Sequence, residues 1–304
     1  MARRAPSPPP RFRAFLANVA RGVAIGASDL VPGVSGGTMA LVLGIYPRLI
    51  LAISELTRSG PRRSLAAGRV REAWLAIDGA FLASLAIGVA VAVLSLATAL
   101  DLLLERHAEL LYAAFFGMIV VSAWLVALQV PRRGRATAWA LVGATGAFVV
   151  VGLAPTSTPD HPLAYVLAGA IGVSALLLPG LSGAFLLLLL GKYEQVLAAA
   201  STLDLSVLLP FAGGLAVGAL AFARAIGTAL RRWPSAVLGT LAGILVGSLR
   251  RVWPWQDADS LRAVALAPPS LADAGLALAL AVVAGAAVVA LHRASRGGDG
   301  SFRS

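Results

Sequence analysis

The sequence contains no cysteine, which excludes a disulfide framework, thiol chemistry and a cysteine metal site. Histidine is nearly as scarce: His107, His161 and His292 all fall in predicted loops, and no two have metal-ligand spacing. Only 13% of the residues are charged, against about 25% in a soluble domain. The sequence therefore predicts no cofactor and no metal, and most of its surface should face something other than water.

Long apolar runs take the place of that missing charge. The chain is 59% hydrophobic, and a helix needs about 20 apolar residues to cross a bilayer. The pattern predicts an all-α polytopic membrane protein in the cytoplasmic (plasma) membrane of a bacterium. The predicted spans are 75–100, 110–130, 137–154, 207–229, 236–249 and 271–291.

The net charge of +11 lies almost entirely in loops beside the apolar runs. That placement is typical of residues that set membrane orientation, and it argues against nucleic-acid binding. The predicted N-terminal arm, 1–21, is basic and disordered, and residues 12–23 have the pattern of an amphipathic helix in the interface. The predicted tail, 292–304, is cytoplasmic, as is the N-terminus.

One sequence pattern occurs twice. The run PGVSG at Pro32–Gly36 returns as PGLSG at Pro179–Gly183, and the likeness extends to Tyr46 and Tyr193 with a constant offset of 147 residues. Over those 15 positions, 8 are identical. This predicts a duplicated unit, with a first membrane repeat at 22–154 and a second at 155–291.

The basic residues predict how each repeat enters the membrane. Arginines flank the first motif on both sides, so both flanks should be cytoplasmic and residues 22–56 should form a re-entrant hairpin. Three spans would then deliver the second hairpin, 163–200, to the opposite face, where the flanks 155–162 and 201–206 contain no Arg or Lys. The prediction is two inverted-topology repeats, each a broken hairpin plus three helices. In the alternative, each motif is a kink in one long crossing helix.

Proline and glycine inside an apolar run should end one half-helix and start another. Such a break persists in a membrane only where it is buried in protein or lines a polar cavity. The free N–H groups of the second half-helix would attract an anion, and Ser35 and Ser182 are suited to cap it or to face a ligand. The alternative is that both motifs are packing kinks.

Four charged residues accompany these segments. Asp29 is expected to carry a coupling proton, pair with an arginine or cap a helix at the interface. Arg224 is expected either to anchor an anion or to snorkel to the inner surface. Arg48 and Lys192 are interpreted as hairpin-rim charges, solvated or guiding an anionic head group.

The segment SDLVPGVSGGT at Ser28–Thr38, with LGIY at Leu43–Tyr46, resembles the signature of a bacterial membrane family long described only as a domain of unknown function. LPGLSG at Leu178–Gly183, with LGKYE at Leu190–Glu194, resembles its second signature. Members have been assigned as polyprenyl-phosphate transporters of the PopT type. The resemblance implies a flippase that returns undecaprenyl phosphate to the cytoplasmic leaflet for cell-wall polymer synthesis.

A phosphate head group suits donors in a shielded cavity, and its tail can stay in lipid. A proton or sodium ion is the expected coupling ion. The predicted substrate-binding residues are Ser28, Asp29, Pro32, Gly33, Ser35, Gly36, Gly37, Thr38, Pro179, Gly180, Ser182, Gly183, Arg48 and Arg224.

Two other functions are open at this point. A small-anion channel or exchanger would use the same half-helix ends. A polyprenyl-diphosphate phosphatase would need a base, a nucleophile or metal-binding acids, but no His or Glu lies within ten residues of either motif. The sequence therefore predicts a protein that is not an enzyme.

Cysteine labelling tests the predicted topology, because the chain has no thiol of its own. A single cysteine placed in the loop 57–72 should react with an impermeant maleimide from the cytoplasmic side only. One placed in the loop 201–206 should react from the outside only. Labelling of both loops from one side would contradict the inverted arrangement.

Overall fold

The computed structural model describes residues 11–30, 35–130, 133–255 and 270–298, and all regular structure in these ranges is helical. The helices are α1 Arg11–Asp29, α2 Gly36–Val42, α3 Tyr46–Glu55, α4 Ser59–Ala66, α5 Val70–Ala76, α6 Gly79–Leu128, α7 Arg133–Val150, α8 Pro162–Leu177, α9 Gly183–Leu189, α10 Tyr193–Thr202, α11 Leu205–Arg232, α12 Pro234–Ser248 and α13 Leu271–Gly298.

Four helical stretches are long and apolar enough to cross a membrane. They are Gly79–Leu96, Arg106–Leu128, Leu205–Arg232 and Leu271–Arg293. The other two predicted spans correspond to shorter apolar helices, Ala136–Val150 and Pro234–Ser248. The predicted all-α, multi-pass membrane protein is confirmed, although two of its six spans are shorter than a full crossing.

Helix α6 contains two crossings joined at a bend. His107 has non-helical dihedrals, φ −145° and ψ 39°, and it divides α6 into α6a (79–106) and α6b (108–128). The prediction that all three histidines lie in loops is wrong for His107 and for His292, which lies within α13. His161 is the N-cap of α8, where its side chain accepts a hydrogen bond from Leu163 N.

The first helix is continuous across the predicted limit of the N-terminal arm. Residues 12–23, predicted as a separate interfacial helix, are part of α1, which extends to Asp29. Phe12 is 69% exposed, whereas Ile25 is buried in the core. The predicted disordered stretch 1–10 lies outside the described residues.

The broken segment of each half packs beside the crossing that follows it. Gly22 lies against the backbone of Leu85, and Gly26 lies against Val89, so contacts advance together along α1 and α6a. The two helices therefore run parallel. Their first residues lie at the same end of the bundle, although α2 to α5 intervene in the chain.

The same relation holds in the second half. Gly214 of α11 lies against Val166 of α8, and Gly218 lies against Ala170. Contacts again advance together, so α8 and α11 run parallel and begin at the same end. The chain between α8 and α11 thus returns to the side from which it started.

The remaining crossings pair between the halves. Gly117 of α6b meets the backbone of Ala281 in α13, and Gly243 of α12 meets that of Ala140 in α7. Each pair joins one helix of the first half to one of the second, and both pairs are parallel.

Close backbone approach explains why so many of these contacts involve glycine. Without a hydrophobic drive between helices in lipid, small residues let backbones approach and gain dispersion contacts. Among the described residues, three clusters of buried apolar side chains join the halves, and the largest includes Tyr46, Phe81, Leu177 and Leu245, all less than 10% exposed.

Two glycines of α7 provide a matched test of this packing. A Cβ added at Gly143 would collide with Thr240 O, whereas one added at Gly146 would meet nothing within 4 Å. Gly143→Ala should therefore destabilise the protein by about 1–3 kcal/mol, the usual range for overpacking. Gly146→Ala should leave the melting temperature in detergent unchanged or raise it slightly, because alanine favours helix. Equal melting temperatures for the two variants would contradict the α7–α12 packing.

Candidate functional site

Each repeated motif lies at the start of a seven-residue helix, α2 or α9. After that helix the chain bends sharply, by 119° between α2 and α3 and by 108° between α9 and α10. Helix α9 folds back along α8, and Thr156 N donates to Leu189 O beside the loop that precedes α8. The second motif is therefore the tip of a helical hairpin.

The two motifs touch each other directly. The Ser35 hydroxyl lies 3.2 Å from Leu176 O and 3.1 Å from Leu178 O, and Gly180 N donates to Thr38 Oγ1 at 2.8 Å. We call residues 35–38 and 176–183 the tip contact. The two motifs thus lie together, although 147 residues separate equivalent positions in the chain.

The tip contact is closed in this conformation. Ser35 is 0% exposed, Thr38 4% and Ser182 5%. Its polar groups are satisfied largely by one another, as burial away from water demands. A ligand can reach these groups only if the tips separate or if it enters at their edge.

In the first motif the backbone donors already have acceptors. Gly36 N donates to the Asp29 carboxyl at 2.5 Å, and Gly37 N donates to Ser35 Oγ at 3.2 Å. Ser35 is the N-cap of α2, as predicted. Asp29 therefore does not pair with an arginine among the described residues. Its carboxyl group occupies the position that the sequence assigned to an external anion.

The second motif lacks that carboxyl group. The offset of 147 residues aligns Asp29 with Leu176, whose Cβ lies beside Gly183 as the Asp29 carboxyl lies beside Gly36. Ser182 is the N-cap of α9 and accepts from Phe185 N at 3.4 Å. Within the described part of the chain, the amides of Gly183 and Ala184 have no acceptor, and Ala184 is exposed.

Gly180 allows α12 to pack closely against the second motif. Its φ of +88° lies in the left-handed region that L side chains rarely adopt, and an added Cβ would lie 2.8 Å from Ser248 Oγ. Pro179 beside it is fully buried. The second motif is thus held between the first motif and α12.

Other predicted site residues lie elsewhere or fall outside the description. The Ser28 hydroxyl is buried and donates to Ala24 O of its own helix. Pro32 and Gly33 lie outside the described residues. Arg48 pairs with Asp78 at 2.6 Å and lies 4.1 Å from the centre of the Phe81 ring. These contacts fix the start of α3 to the start of α6, and they involve no residue of the tip contact.

Arg224 also contacts neither motif. One of its guanidinium nitrogens donates to Thr57 Oγ1 at 3.1 Å, beyond the end of α3. The structure therefore does not bring Arg48 or Arg224 into contact with the predicted phosphate cradle.

The interpretation of Lys192 as a solvated rim charge is wrong. Its side chain is 0% exposed. Its ammonium group donates to Asp160 Oδ1 at 2.6 Å, to Gln195 Oε1 at 2.8 Å and to Thr158 O at 3.1 Å. These bonds tie the α9–α10 turn to the loop before α8, and we call this group the hairpin clamp. A buried ammonium is tolerated because all three of its donors are satisfied.

Sequence reasoning missed Arg251. It follows α12, and its guanidinium carbon lies 4.8 Å from the centre of the Phe185 ring, two residues after Gly183. The signal was present in the sequence, because Arg250-Arg251 is an arginine pair on the side where the topology predicts few basic residues. Arg250 has a separate role: it donates to Phe148 O near the end of α7.

Comparison with known proteins bears on these features. Residues 25–266 match the undecaprenyl phosphate translocase-like family. The chain belongs to that family. It is 35% identical to a Vibrio cholerae serotype O1 protein named polyprenyl-phosphate transporter, over 82% of this chain and 80% of that protein. It is 30% identical to a Staphylococcus aureus protein of the same name, over 78% and 86% respectively. No solved structure gave a significant match.

Family membership confirms the resemblance drawn from the two motifs. Both relatives are named as transporters, which agrees with the prediction of a protein that is not an enzyme. The family match spans both tips, so it includes the complete tip contact.

The hairpin clamp gives a prediction about stability. Asp160→Asn leaves the buried Lys192 ammonium without its charged partner, whereas Lys192→Leu leaves only an Asp160 side chain that is 66% exposed. Asp160→Asn should therefore lower the melting temperature more than Lys192→Leu does. Adding Lys192→Leu to Asp160→Asn should recover part of the loss. Equal effects of the two single variants would contradict a clamp that depends on a buried charge.

The clamp should also respond to acid in one direction. The hydrogen bond from Lys192 lowers the pKa of Asp160 below its ordinary value of 3.8. Because the folded-state pKa is depressed, the stabilisation is fully present above about pH 4 and is lost as the pH falls through the depressed value.

Proposed function

We propose that this chain is a flippase that moves undecaprenyl phosphate, or a related polyprenyl phosphate, across the cytoplasmic membrane for reuse of the lipid carrier in cell-wall synthesis. The phosphate would be held at the tip contact while the prenyl tail stays in lipid. Support for the substrate comes from the family and from the names of the two relatives.

One observation carries the proposal: the amide of Gly36 at the tip contact already binds a carboxyl oxygen, that of Asp29. A phosphate oxygen is a stronger acceptor of the same kind, and helix N-termini favour negative charge. The substrate phosphate would replace the Asp29 carboxyl group in the first motif. It would also take the amides of Gly183 and Ala184 in the second.

The asymmetry of the motifs suggests an order of events. Exposed Ala184 makes the second motif the accessible side of the tip contact, so phosphate would first engage there. Separation of the tips would then break the bonds from Ser35 and Gly180 and open the first motif. Asp29, released from Gly36, is the residue proposed to take up a coupling proton, although a sodium ion remains the alternative.

The helix directions support an inverted-repeat architecture. The parallel pairing of α1 with α6a, and of α8 with α11, agrees with two re-entrant hairpins. The parallel pairing of α6b with α13, and of α7 with α12, agrees with three crossings after each hairpin, traversed in opposite senses. If each motif crossed the membrane once, α6b and α13 would run antiparallel. We therefore propose membrane repeats at 22–154 and 155–291, with both termini in the cytoplasm.

Leaflet exchange of a labelled polyprenyl phosphate in proteoliposomes tests the proposal. Ser35→Ala together with Ser182→Ala removes the two capping hydroxyls, and hydrogen bonds to a charged group contribute about 1.5–3 kcal/mol each. The exchange rate should therefore fall by roughly tenfold or more.

A matched control is Ser84→Ala together with Ser122→Ala. These hydroxyls are also buried, but each donates to a carbonyl of its own helix. The exchange rate of this control variant should stay close to that of the wild type. Unchanged exchange in a folded Ser35→Ala/Ser182→Ala protein would reject the phosphate cradle, and absence of exchange in the wild type would reject the flippase.

A further inference from the structure

A cavity that no sequence motif marked lies between the end of α3 and the last turns of α11. It has a volume of about 120 Å³, room for about four water molecules at ~30 Å³ each. The lining residues are Ser54, Thr57, Arg58, Arg224, Thr228 and Arg231. The three arginine guanidinium groups are suitable donors for a phosphate group, whereas the three hydroxyl groups already donate to backbone carbonyls.

Two separate parts of the chain build this lining. Arg224, Thr228 and Arg231 follow one another at spacings of four and three, so they share one face of α11. Gly227 lets that face approach α3, because an added Cβ there would lie 3.3 Å from Ser54 Oγ. Arg58 comes from the loop after α3. The cavity thus joins the first half of the chain to the second.

The charges around the cavity are not balanced. Arg58 pairs with Glu55 at 3.0 Å, but Arg224 donates to the neutral hydroxyl of Thr57. The guanidinium group of Arg231 has no hydrogen bond or ion pair with any residue in the described ranges. Arginines grouped around one space repel each other unless an anion lies between them.

A second, larger cavity opens beside the first. It has a volume of about 670 Å³ and shares Arg58 and Arg224 with it, and its other lining residues include Ser59, Ser64 and Glu72. The arginine cavity is therefore not sealed behind protein, since the larger space leads to the same two guanidinium groups.

We infer that Arg58, Arg224 and Arg231 form a docking site for a phosphate group at the base of the first hairpin, separate from the tip contact. The two sites share no residue. In the proposed topology this base faces the cytoplasm, so the site would receive or release the phosphate of the lipid at the inner leaflet. This step rests on the proposed function, whereas the binding of a phosphate group does not.

A single thiol makes the site observable. Thr228→Cys places the only cysteine of the chain in the cavity, and the loss is small because the Thr228 hydroxyl donates only to the Arg224 carbonyl. The rate of maleimide labelling is measured in nanodiscs with undecaprenyl phosphate, with inorganic phosphate, or with neither. Lipid phosphate should slow labelling about tenfold, as expected when several charge-assisted hydrogen bonds form.

Matched variants are then compared in the Thr228→Cys protein. Arg58→Gln with Arg231→Gln should abolish the protection. Arg62→Gln with Arg63→Gln, which removes two arginines of the nearby α4 that do not line the cavity, should leave it intact. Arg58→Lys with Arg231→Lys retains the charge but loses the guanidinium fork, so protection should be weakened but present.

Comparison of the two phosphate compounds identifies the ligand, and comparison of labelling with leaflet exchange tests the docking site and the flippase separately. Protection by undecaprenyl phosphate alone assigns the site to the lipid head group, and protection by inorganic phosphate as well assigns it to phosphate in general. Absence of protection by both, or protection unchanged by Arg58→Gln/Arg231→Gln, overturns the inference. Leaflet exchange is measured on the same preparations: exchange without protection overturns the docking site alone, and protection without exchange overturns the flippase alone.

Discussion

Backbone donors at a helix break inside lipid must find acceptors, and the structure of this protein depends on how that requirement is met. An unsatisfied amide in hydrocarbon costs several kcal/mol, roughly the penalty for a buried polar group without a partner. Here each break satisfies part of the other's requirement, while the amides of Gly183 and Ala184 have no acceptor in the described part of the chain. Ser35 contacts the carbonyls of Leu176 and Leu178, and Gly180 N donates to Thr38. The contact between the two tips thus provides hydrogen-bond partners for buried polar groups. It also places those groups inside the helical bundle.

The two tips differ in whether a carboxyl group of the protein binds the N-terminus of the half-helix. One half-helix N-terminus holds a carboxyl group of the protein, and the equivalent position in the other half is Leu176. This difference gives the contact one occupied side and one side beside the exposed Ala184, and the proposed order of phosphate binding depends on it.

Charged residues fall into two groups according to how they are neutralised. Arg48 with Asp78, and Lys192 with Asp160, each fix the turn after a short helix to a neighbouring segment. The arginines around the α3–α11 cavity are only partly compensated, since a single carboxylate, that of Glu55, pairs with one of three. The first group stabilises the hairpins, and the second is suited to attract an anion. Residues that look alike in a sequence can therefore differ in function.

Several features followed from the sequence because they depend on local composition or on chain order. Apolar runs with few charges predict helices in a membrane, and the paired PGxSG motifs predict two breaks with a serine at each N-cap. Spacing at four and three residues would also have placed Arg224, Thr228 and Arg231 on one helix face. The family was recognisable from the motifs for the same reason, since they are contiguous in the chain.

Only the tertiary structure decided which groups meet across the chain. Burial of Lys192 depends on Asp160, 32 residues away, and Arg251 reaches Phe185 because α12 packs against the second motif. The sequence placed Arg224 near the motifs, but the packing of α11 on α3 directs it to Thr57. The sequence left open whether Asp29 pairs with an arginine, and only the folded chain brings its carboxyl group to the amide of Gly36. Composition and spacing determine what a segment can form, whereas the partner of a buried polar group depends on contacts that only the folded chain creates.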